Sequence, residues 1–509
     1  VRRRGHRILA AVFAGDRRVW RTTAIVAVPF IALVAYYCLR PNHYYTGTDS
    51  VEDYTYVVPT PPHARVCVPD VEIPADTAFV QLRLISQTPA RPQLKLTLHV
   101  GGATIHSTLP PENVSATRIS AATFAIARTP AHPAVRSGSL CVTAGGTLLV
   151  NWGGTPLPSP PPSPPTLNGT PLAAQIALWY LPPRGSERSY LEQAGAIFDR
   201  AALFRPGIVG AWTYPVLLFV VLPLLALLAV RCMALAVAGR TARLAAWLFA
   251  IAAINACCWA LITPAFQAPD EVDHFAYTQS LVERGVGPSQ SAASPLARWS
   301  SEENLALEDM SFFTDHQIGD TEMPWLASQQ KAYDIQASKT DPSESDGGGY
   351  TTSAVHGPIY YLALAPAYIV TEGGSIFSQL TLMRFTSALI GALTVLFTFL
   401  LAREIAPNRP WIAVLAALLV AYEPMYGFIS GVVNNDVGVN AGAAALELLL
   451  IRMLRRGITI PWGALTGALL IALPIIKGTG LSLYPVAGLV FLATLWRHHS
   501  RAQLLAWVA

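Results

Sequence analysis

The sequence predicts a polytopic α-helical membrane protein with an extracytoplasmic β-sandwich domain inserted after its first span. Three observations predict it. The 509-residue chain is 52% hydrophobic and only 13% charged, against about 25% charged in soluble domains. Several apolar runs reach the roughly 17 to 20 residues that a helix needs to cross hydrocarbon. Between Thr77 and Leu181 the apolar period becomes two, which is the strand pattern. A single soluble domain is excluded. The net charge of +4 is small, and the basic residues cluster beside apolar runs, so membrane lipids are the expected surroundings and nucleic acid is excluded as a partner.

Residues 1–39 read as a basic cytoplasmic N-terminus and membrane anchor. Seven arginines precede the apolar run Thr22–Leu39, and the bulky RPNHYY after it is no cleavage site, so the anchor is retained with its N-terminus inside. Residues 40–205 are then delivered outside. In QLKLTLHV, Leu94, Leu96, Leu98 and Val100 alternate with polar residues, and similar signals at AFVQLRLIS, SLCVTAGGTLLVNW and QIALWYL make an antiparallel sandwich. LPSPPPSPP, from Leu157 to Pro165, is a stiff polyproline loop. Cys67 and Cys141 are the only cysteines of this exported stretch and are expected to form a disulfide there. The other four lie in or beside spans without metal-ligand spacing. This domain suits either carbohydrate binding or a structural role.

Residues 206–509 form the transmembrane core. Two spans, Ile208–Val230 and Leu244–Thr263, flank a loop with Arg231, Arg240 and Arg243. The loop 264–355 carries 15 Asp and Glu against 4 Lys and Arg and is expected outside. The next apolar stretch, HGPIYYLALAPAYIV, has only 15 residues and two prolines, so 356–372 is read as an interfacial helix. Phe385–Leu401, Trp411–Ser430, Val437–Leu450, Pro461–Ile476 and Leu481–Trp496 then alternate so that AREIAPNR, RMLRRG and RHHSR all fall inside. The total is eight spans. The apolar run at 502–509 reads as the opening of another, so the chain is expected to be truncated at its C-terminus.

The candidate chemistry lies in APDEVDHFAY, just after the third span. Asp270, Asp273 and His274 share one helical face there and Glu271 points about 100° away. Paired carboxylates at a water boundary can accept a proton from a hydroxyl and orient the acceptor. Asp270, Asp273 and His274 also offer a donor set for Mg²⁺ or Mn²⁺, though no cofactor is required. An ordinary helix start at Pro269-Asp270 is the alternative.

Five pieces occur in order: PDEVDHF at Pro269–Phe275, HGPIYYLAL at His356–Leu364, LMRFTSALIGALTVLFTFLLAREI at Leu382–Ile405, EPMYGFISGVVNND at Glu423–Asp436 and LPIIKGTGL at Leu473–Leu481. As a set they resemble the GT-C superfamily of lipid-linked-sugar glycosyltransferases, such as the protein O-mannosyltransferases and the aminoarabinose transferases of lipid A. More narrowly they resemble an uncharacterised bacterial membrane family with a P-D-E-x-x-H-F element. The resemblance implies a GT-C-like core and a polyprenyl-phosphate sugar donor, with transfer to an extracytoplasmic glycan, lipid or protein acceptor. It implies Asp270 as base with Glu271 as its partner, and outward-facing Arg384 and Lys477 at the departing phosphate. His274, His356, Tyr360, Tyr361, Asn435 and Asp436 are the expected substrate contacts. Glu423 is a possible partner for Arg384 or Lys477, and Glu447 for Arg452 and Arg455. A transporter or flippase, or a non-enzymatic envelope scaffold, is the alternative class. The scaffold would tolerate neutralising Asp270.

Overall fold

The computed structural model describes residues 15–498 apart from 50, 52–54, 87–89, 114–119, 127–134, 147–149, 158–159, 161–162, 292, 311, 313–325, 340–345 and 350–351. The first arginine cluster, the apolar run at 502–509 and part of the polyproline loop therefore lie outside the described residues. The chain divides into two compact units. One is Val34–Arg200 with Leu307–Gln330; the other is Val1–Leu33, Ala201–Ala306 and Lys331–Ala509.

The first unit is built on two antiparallel sheets. A seven-stranded sheet runs Gly47–Thr48, Leu178–Leu181, Phe79–Ser86, Val150–Pro156, Ala174–Ile176, with Thr55–Thr60 and Ser120–Ala125 pairing beside this path. A six-stranded sheet runs Thr170–Pro171, Thr166–Leu167, Arg65–Pro74, Val135–Ala144, Leu94–Val100, Ala103–Leu109. Val80, Leu82, Leu84, Phe124 and Trp152 of the first share one apolar core with Val66, Leu94, Leu96, Leu98 and Val142 of the second. Along Leu94–Val100 the buried leucines alternate with exposed Lys95 and His99, because side chains on a pleated strand point alternately to either face. Cys67 and Cys141 face each other across neighbouring strands and are joined by a disulfide.

The helices, in chain order, are α1 (Arg17–Leu39), α2 (Tyr190–Ala201), α3 (Thr213–Val237), α4 (Leu244–Ile262), α5 (Glu271–Arg284), α6 (Ser301–Asp309) and α7 (Ala327–Ala337). Then follow α8 (Ile359–Val370), α9 (Ile376–Ile405), α10 (Pro410–Ala421), α11 (Pro424–Ser430), α12 (Asp436–Arg456), α13 (Ile460–Ile476) and α14 (Gly478–His498). Among the described residues six of them, α1, α3, α4, α9, α12 and α14, are long and apolar enough to cross a membrane. The α10/α11 pair makes a seventh only if its 66° bend is counted within one span. This is fewer than eight. Trp411–Ser430 is broken where Glu423 caps α11 by accepting Tyr426 N–H, so Glu423 partners neither Arg384 nor Lys477. The Pro461–Ile476 run forms a helix of 17 residues, or about 25 Å. The 356–372 stretch contains a helix of only 12 residues.

The long helices alternate between two ends. At one end Glu404, which closes α9, accepts two 2.7 Å hydrogen bonds from Arg456 and lies 3.7 Å from Arg452. Arg452 and Arg456 of α12 thus pair with Glu404 of α9 rather than with Glu447. His498 of α14 reaches Leu454 O at 3.1 Å at the same end. The opposite end gathers the finish of α4, the start of α5, the early turns of α9, the start of α12 and the finish of α13.

Candidate functional site

That end is organised around a buried ion pair. An α-helix leaves its last carbonyls without intrahelical donors, and α4 presents those of Ala260 and Thr263 to Arg384 of α9. Arg384 Nη1 donates to both, at 3.0 and 2.7 Å, and Nη2 to Pro264 O at 2.7 Å. Nε reaches Glu271 Oε1 at 2.7 Å, and Nη2 completes a two-pronged contact with Glu271 Oε2. The cation thus sits at the C-terminal end of α4 and the carboxylate in the first turn of α5, both favoured by the helix dipoles. Glu271 Oε1 also accepts Val433 N–H at 3.0 Å, from the segment before α12. Both side chains are essentially fully buried. All five guanidinium donors are occupied, so Arg384 has none for a donor phosphate. Glu271, closed from solvent, likewise has no access to an acceptor. The sequence-based roles of these two residues are corrected to holding the turn between α4 and α5.

Asp270 is held by that turn. It has φ 56°, in the left-handed region, which Asp tolerates better than most residues. Its carbonyl accepts the first helical bond from His274 N–H at 3.0 Å, but its side chain does not cap the helix. The carboxylate is exposed and, among the described residues, has no hydrogen-bond or ion-pair partner.

The left-handed backbone also takes Asp270 off the face shared by Asp273 and His274. Asp273 Oδ1 accepts Trp299 Nε1–H at 3.1 Å and Oδ2 accepts the Thr352 hydroxyl. His274 is buried with Nδ1 2.8 Å from Tyr361 Oη. Burial, with His356 and Lys477 nearby, pushes the His274 pKa down to about 3, so the ring is neutral. The expected metal set is therefore not assembled. No group of three His, Cys, Asp or Glu among the described residues suits a metal ion.

The aromatic pair is internal as well. Tyr361 stacks on Tyr277 with ring centroids 3.7 Å apart, and Tyr360 Oη bonds Ser387 Oγ and accepts Asn434 N–H at 3.0 Å. Both tyrosines are at most 2% exposed, which removes the ring faces a sugar would stack on. Asn435 is fully buried with Nδ2 on Ile476 O at 3.1 Å. It ties α12 to α13 rather than touching substrate.

His356, Asp436 and Lys477 remain accessible. Lys477 leaves the end of α13 in extended conformation and donates to Asp436 Oδ1 at 2.7 Å, both side chains partly exposed. His356 is half-buried. Its carbonyl accepts Tyr277 Oη–H at 2.9 Å, and Gly357 N–H donates to Ile475 O at 2.9 Å, two residues before Lys477. A Cβ at Gly357 would stand 2.5 Å from Ile475, so only glycine allows this approach. The His356 ring lies 6.0 Å from that of His274. Burial and Lys477 lower its pKa, while Asp436 and Asp270 oppose the shift. The structure thus brings Asp270, His356, Asp436 and Lys477 into one electrostatic neighbourhood.

A feature absent from the sequence reading lies behind α5. Glu303 is fully buried, and neither carboxyl oxygen has a hydrogen-bond partner. Burial first, and then the charges of Asp273, Glu302 and Glu283, raise its pKa well above the usual carboxylate range. Glu303 follows Ser300 by three residues and its N–H donates to Ser300 Oγ at 3.1 Å. In sequence that spacing signals only a helix cap.

Residues 254–509 match DUF2142, a family described as predicted membrane proteins. The chain belongs to this family. No curated protein and no solved structure matches the chain. The DUF2142 match begins inside α4 and contains Asp270, Glu271, His356, Arg384, Asp436 and Lys477, while the sandwich and α3 lie outside it.

Proposed function

We propose that the chain is an integral membrane glycosyltransferase of GT-C type, moving a sugar with inversion from a polyprenyl-phosphate donor to an extracytoplasmic hydroxyl acceptor. The observation that carries the reading is the open, unpaired carboxylate of Asp270 in the neighbourhood of His356 and the Lys477–Asp436 pair, at one end of an apolar bundle. The donor's lipid would lie among the helices and its phosphate at their end. The positive-inside rule puts the arginine-rich end in the cytoplasm and this end outside.

Asp270 takes the acceptor's hydroxyl proton as that oxygen attacks the anomeric carbon. The bond from that carbon to the phosphate oxygen breaks, and its electron pair leaves with the polyprenyl phosphate. Lys477, oriented by Asp436, offsets the added negative charge. His356, neutral at pH 7, is placed to hydrogen-bond the sugar or the phosphate. Glu271 and Arg384 act only by fixing Asp270. The residues do not fit a metal ion, so no step runs through one.

The test is envelope-glycan composition in a strain lacking the gene, rescued with wild type or Asp270→Asn at matched membrane abundance. Loss of the same sugar in the deletion and the variant supports transfer. Full rescue by the variant overturns it. The second reading is a lipid transporter, favoured by the 66° break between α10 and α11, because broken helices form transporter sites. It predicts that purified protein transfers no sugar from a polyprenyl-phosphate donor.

A further inference from the structure

The connector between α11 and α12 carries two adjacent asparagines whose amides reach different elements. Asn434 Nδ2 donates to Pro269 O at 3.3 Å, 165 residues away, and Asn435 Nδ2 donates to Ile476 O at 3.1 Å, 41 residues away. Both side chains are at most 4% exposed. Pro269 immediately precedes Asp270, and Ile476 immediately precedes Lys477. Each amide thus holds the carbonyl directly before one of the two charges that the proposed transfer uses. The Asp436 N–H that reaches Asn434 Oδ1 at 2.9 Å can only donate, and the Pro269 carbonyl can only accept, so the two partners fix which way the Asn434 amide points.

The Pro269 carbonyl belongs to the peptide plane that enters Asp270. The Asp270 carbonyl, which accepts His274 N–H at 3.0 Å, belongs to the plane that leaves it. With both planes held, φ and ψ of Asp270 are set, and the direction of its side chain with them. Its φ of 56° is sparsely populated, and such a conformation persists where the surroundings over-determine it. On the other side Lys477 departs from α13 in extended conformation directly after the held carbonyl. Asp436, the residue after Asn435, receives its Nζ at 2.7 Å. Val433 N–H holds Glu271 Oε1 at 3.0 Å, so three consecutive residues grip both sides of Asp270 and the approach to Lys477.

We propose that Asn434 and Asn435 are positioning residues that together set the separation between the Asp270 carboxylate and the Lys477 ammonium, the span across which the donor sugar fits. The inference rests on the glycosyltransferase reading for the roles of those two charges. In-line displacement puts the attacking and leaving oxygens on opposite sides of the anomeric carbon, so base and cation must stand at a fixed span, and a misplacement of about 1 Å costs about 10²-fold in rate. Consecutive Cα atoms lie about 3.8 Å apart. The two amides therefore cannot drift relative to each other without one of them giving up its carbonyl.

The test compares Asn434→Ala and Asn435→Ala in the full purified chain. The donor is the polyprenyl phosphate of whichever sugar the deletion strain loses, and the acceptor is membranes of that strain. Asn434→Ala should lower kcat by about 10- to 10²-fold with the donor KM within about twofold of wild type. Asn435→Ala should instead raise the donor KM several-fold with the smaller effect on kcat. Losses that are the same in both parameters for both variants and follow their melting temperatures overturn the proposal, since the asparagines then only hold the fold. Amide exchange tests the span without activity. It should quicken several-fold over 270–274 in Asn434→Ala and over 476–480 in Asn435→Ala, each with the other segment unchanged. Exchange unchanged in both variants, or quickened equally in both segments by either one, overturns the proposal. A deletion strain that loses no sugar overturns the glycosyltransferase reading and leaves the span to be decided by that exchange.

Discussion

Arg384 and Glu271, 113 residues apart, close a buried ion pair where α4 ends and α5 begins. Removing one partner of such a pair leaves a buried charge and costs about 3–5 kcal/mol. Arg384→Ala also strands the carbonyls of Ala260 and Pro264, since that of Thr263 still accepts from Arg205 at 2.7 Å, and Arg384→Lys lacks the planar fork that reaches all of them. Both variants should melt well below wild type in detergent. The double variant Arg384→Met/Glu271→Met should lose less than Arg384→Met and Glu271→Met lose together. A melting temperature for Arg384→Ala equal to wild type would show that the pair does not hold the turn.

Asp270, one residue before Glu271, should behave in the opposite way. Its side chain is exposed and caps nothing, so Asp270→Asn should change stability by less than about 0.5 kcal/mol. If it is the base, turnover should fall by about 10²- to 10⁴-fold. Glu271→Gln should instead lower stability along with activity. Measuring melting and turnover on the same preparations separates the two roles, and equal stability losses at both positions would remove the distinction.

The sequence reads in terms of faces and lengths, and those parts of the molecule were legible. The alternation in Leu94–Val100 marked a half-buried strand, and the two prolines of the 356–372 stretch marked a helix too short to span. Contacts between distant elements were not legible. Arg384 looks the same in sequence whether it faces a phosphate or the end of α4, and Tyr360 and Tyr361 look the same inside the bundle or at its rim. The left-handed backbone of Asp270 defeats helical-face arithmetic, because that arithmetic assumes the helix has already begun. Glu423-Pro424 did carry a break signal, but the surrounding apolar run masked it.

The Lys477–Asp436 pair is partly exposed at 24% and 43%, and exposed pairs contribute about 0–1 kcal/mol. Lys477→Met should therefore leave folding nearly unchanged. Its effect should fall on donor binding, as a KM for the polyprenyl-phosphate sugar raised about tenfold or more, since charge-assisted contacts to phosphate are the strong ones. Lys477→Arg should restore most of the loss. An unchanged donor KM in Lys477→Met would take Lys477 out of the phosphate site.

The buried acids behind α5 predict a loss of local order as pH rises. Burial first, then Glu283, raises Glu302 from 4.5 to about 7, and Glu303 lies well above its usual range for the same primary reason. Asp273 and Glu283 face them from α5, Asp346 lies near Glu302, and Glu283 accepts from Tyr368 of α8 at 2.5 Å. A carboxyl whose pKa is higher folded than unfolded stabilises the fold fully below its unfolded value and loses that contribution as pH passes its folded value. The packing of α5 on α6 should thus be intact near pH 5 and weaken progressively through pH 7 and above. Amide exchange across 271–306, corrected for the intrinsic pH dependence, should show rising local opening between pH 6 and 8.5. Glu302→Gln and Glu303→Gln keep the neutral shape without a proton to lose, so the double variant should flatten that rise. Opening that climbs equally in the double variant would place the pH sensitivity elsewhere, with Asp273 and Glu283, whose pKa values burial also raises, as the remaining acids of the cluster.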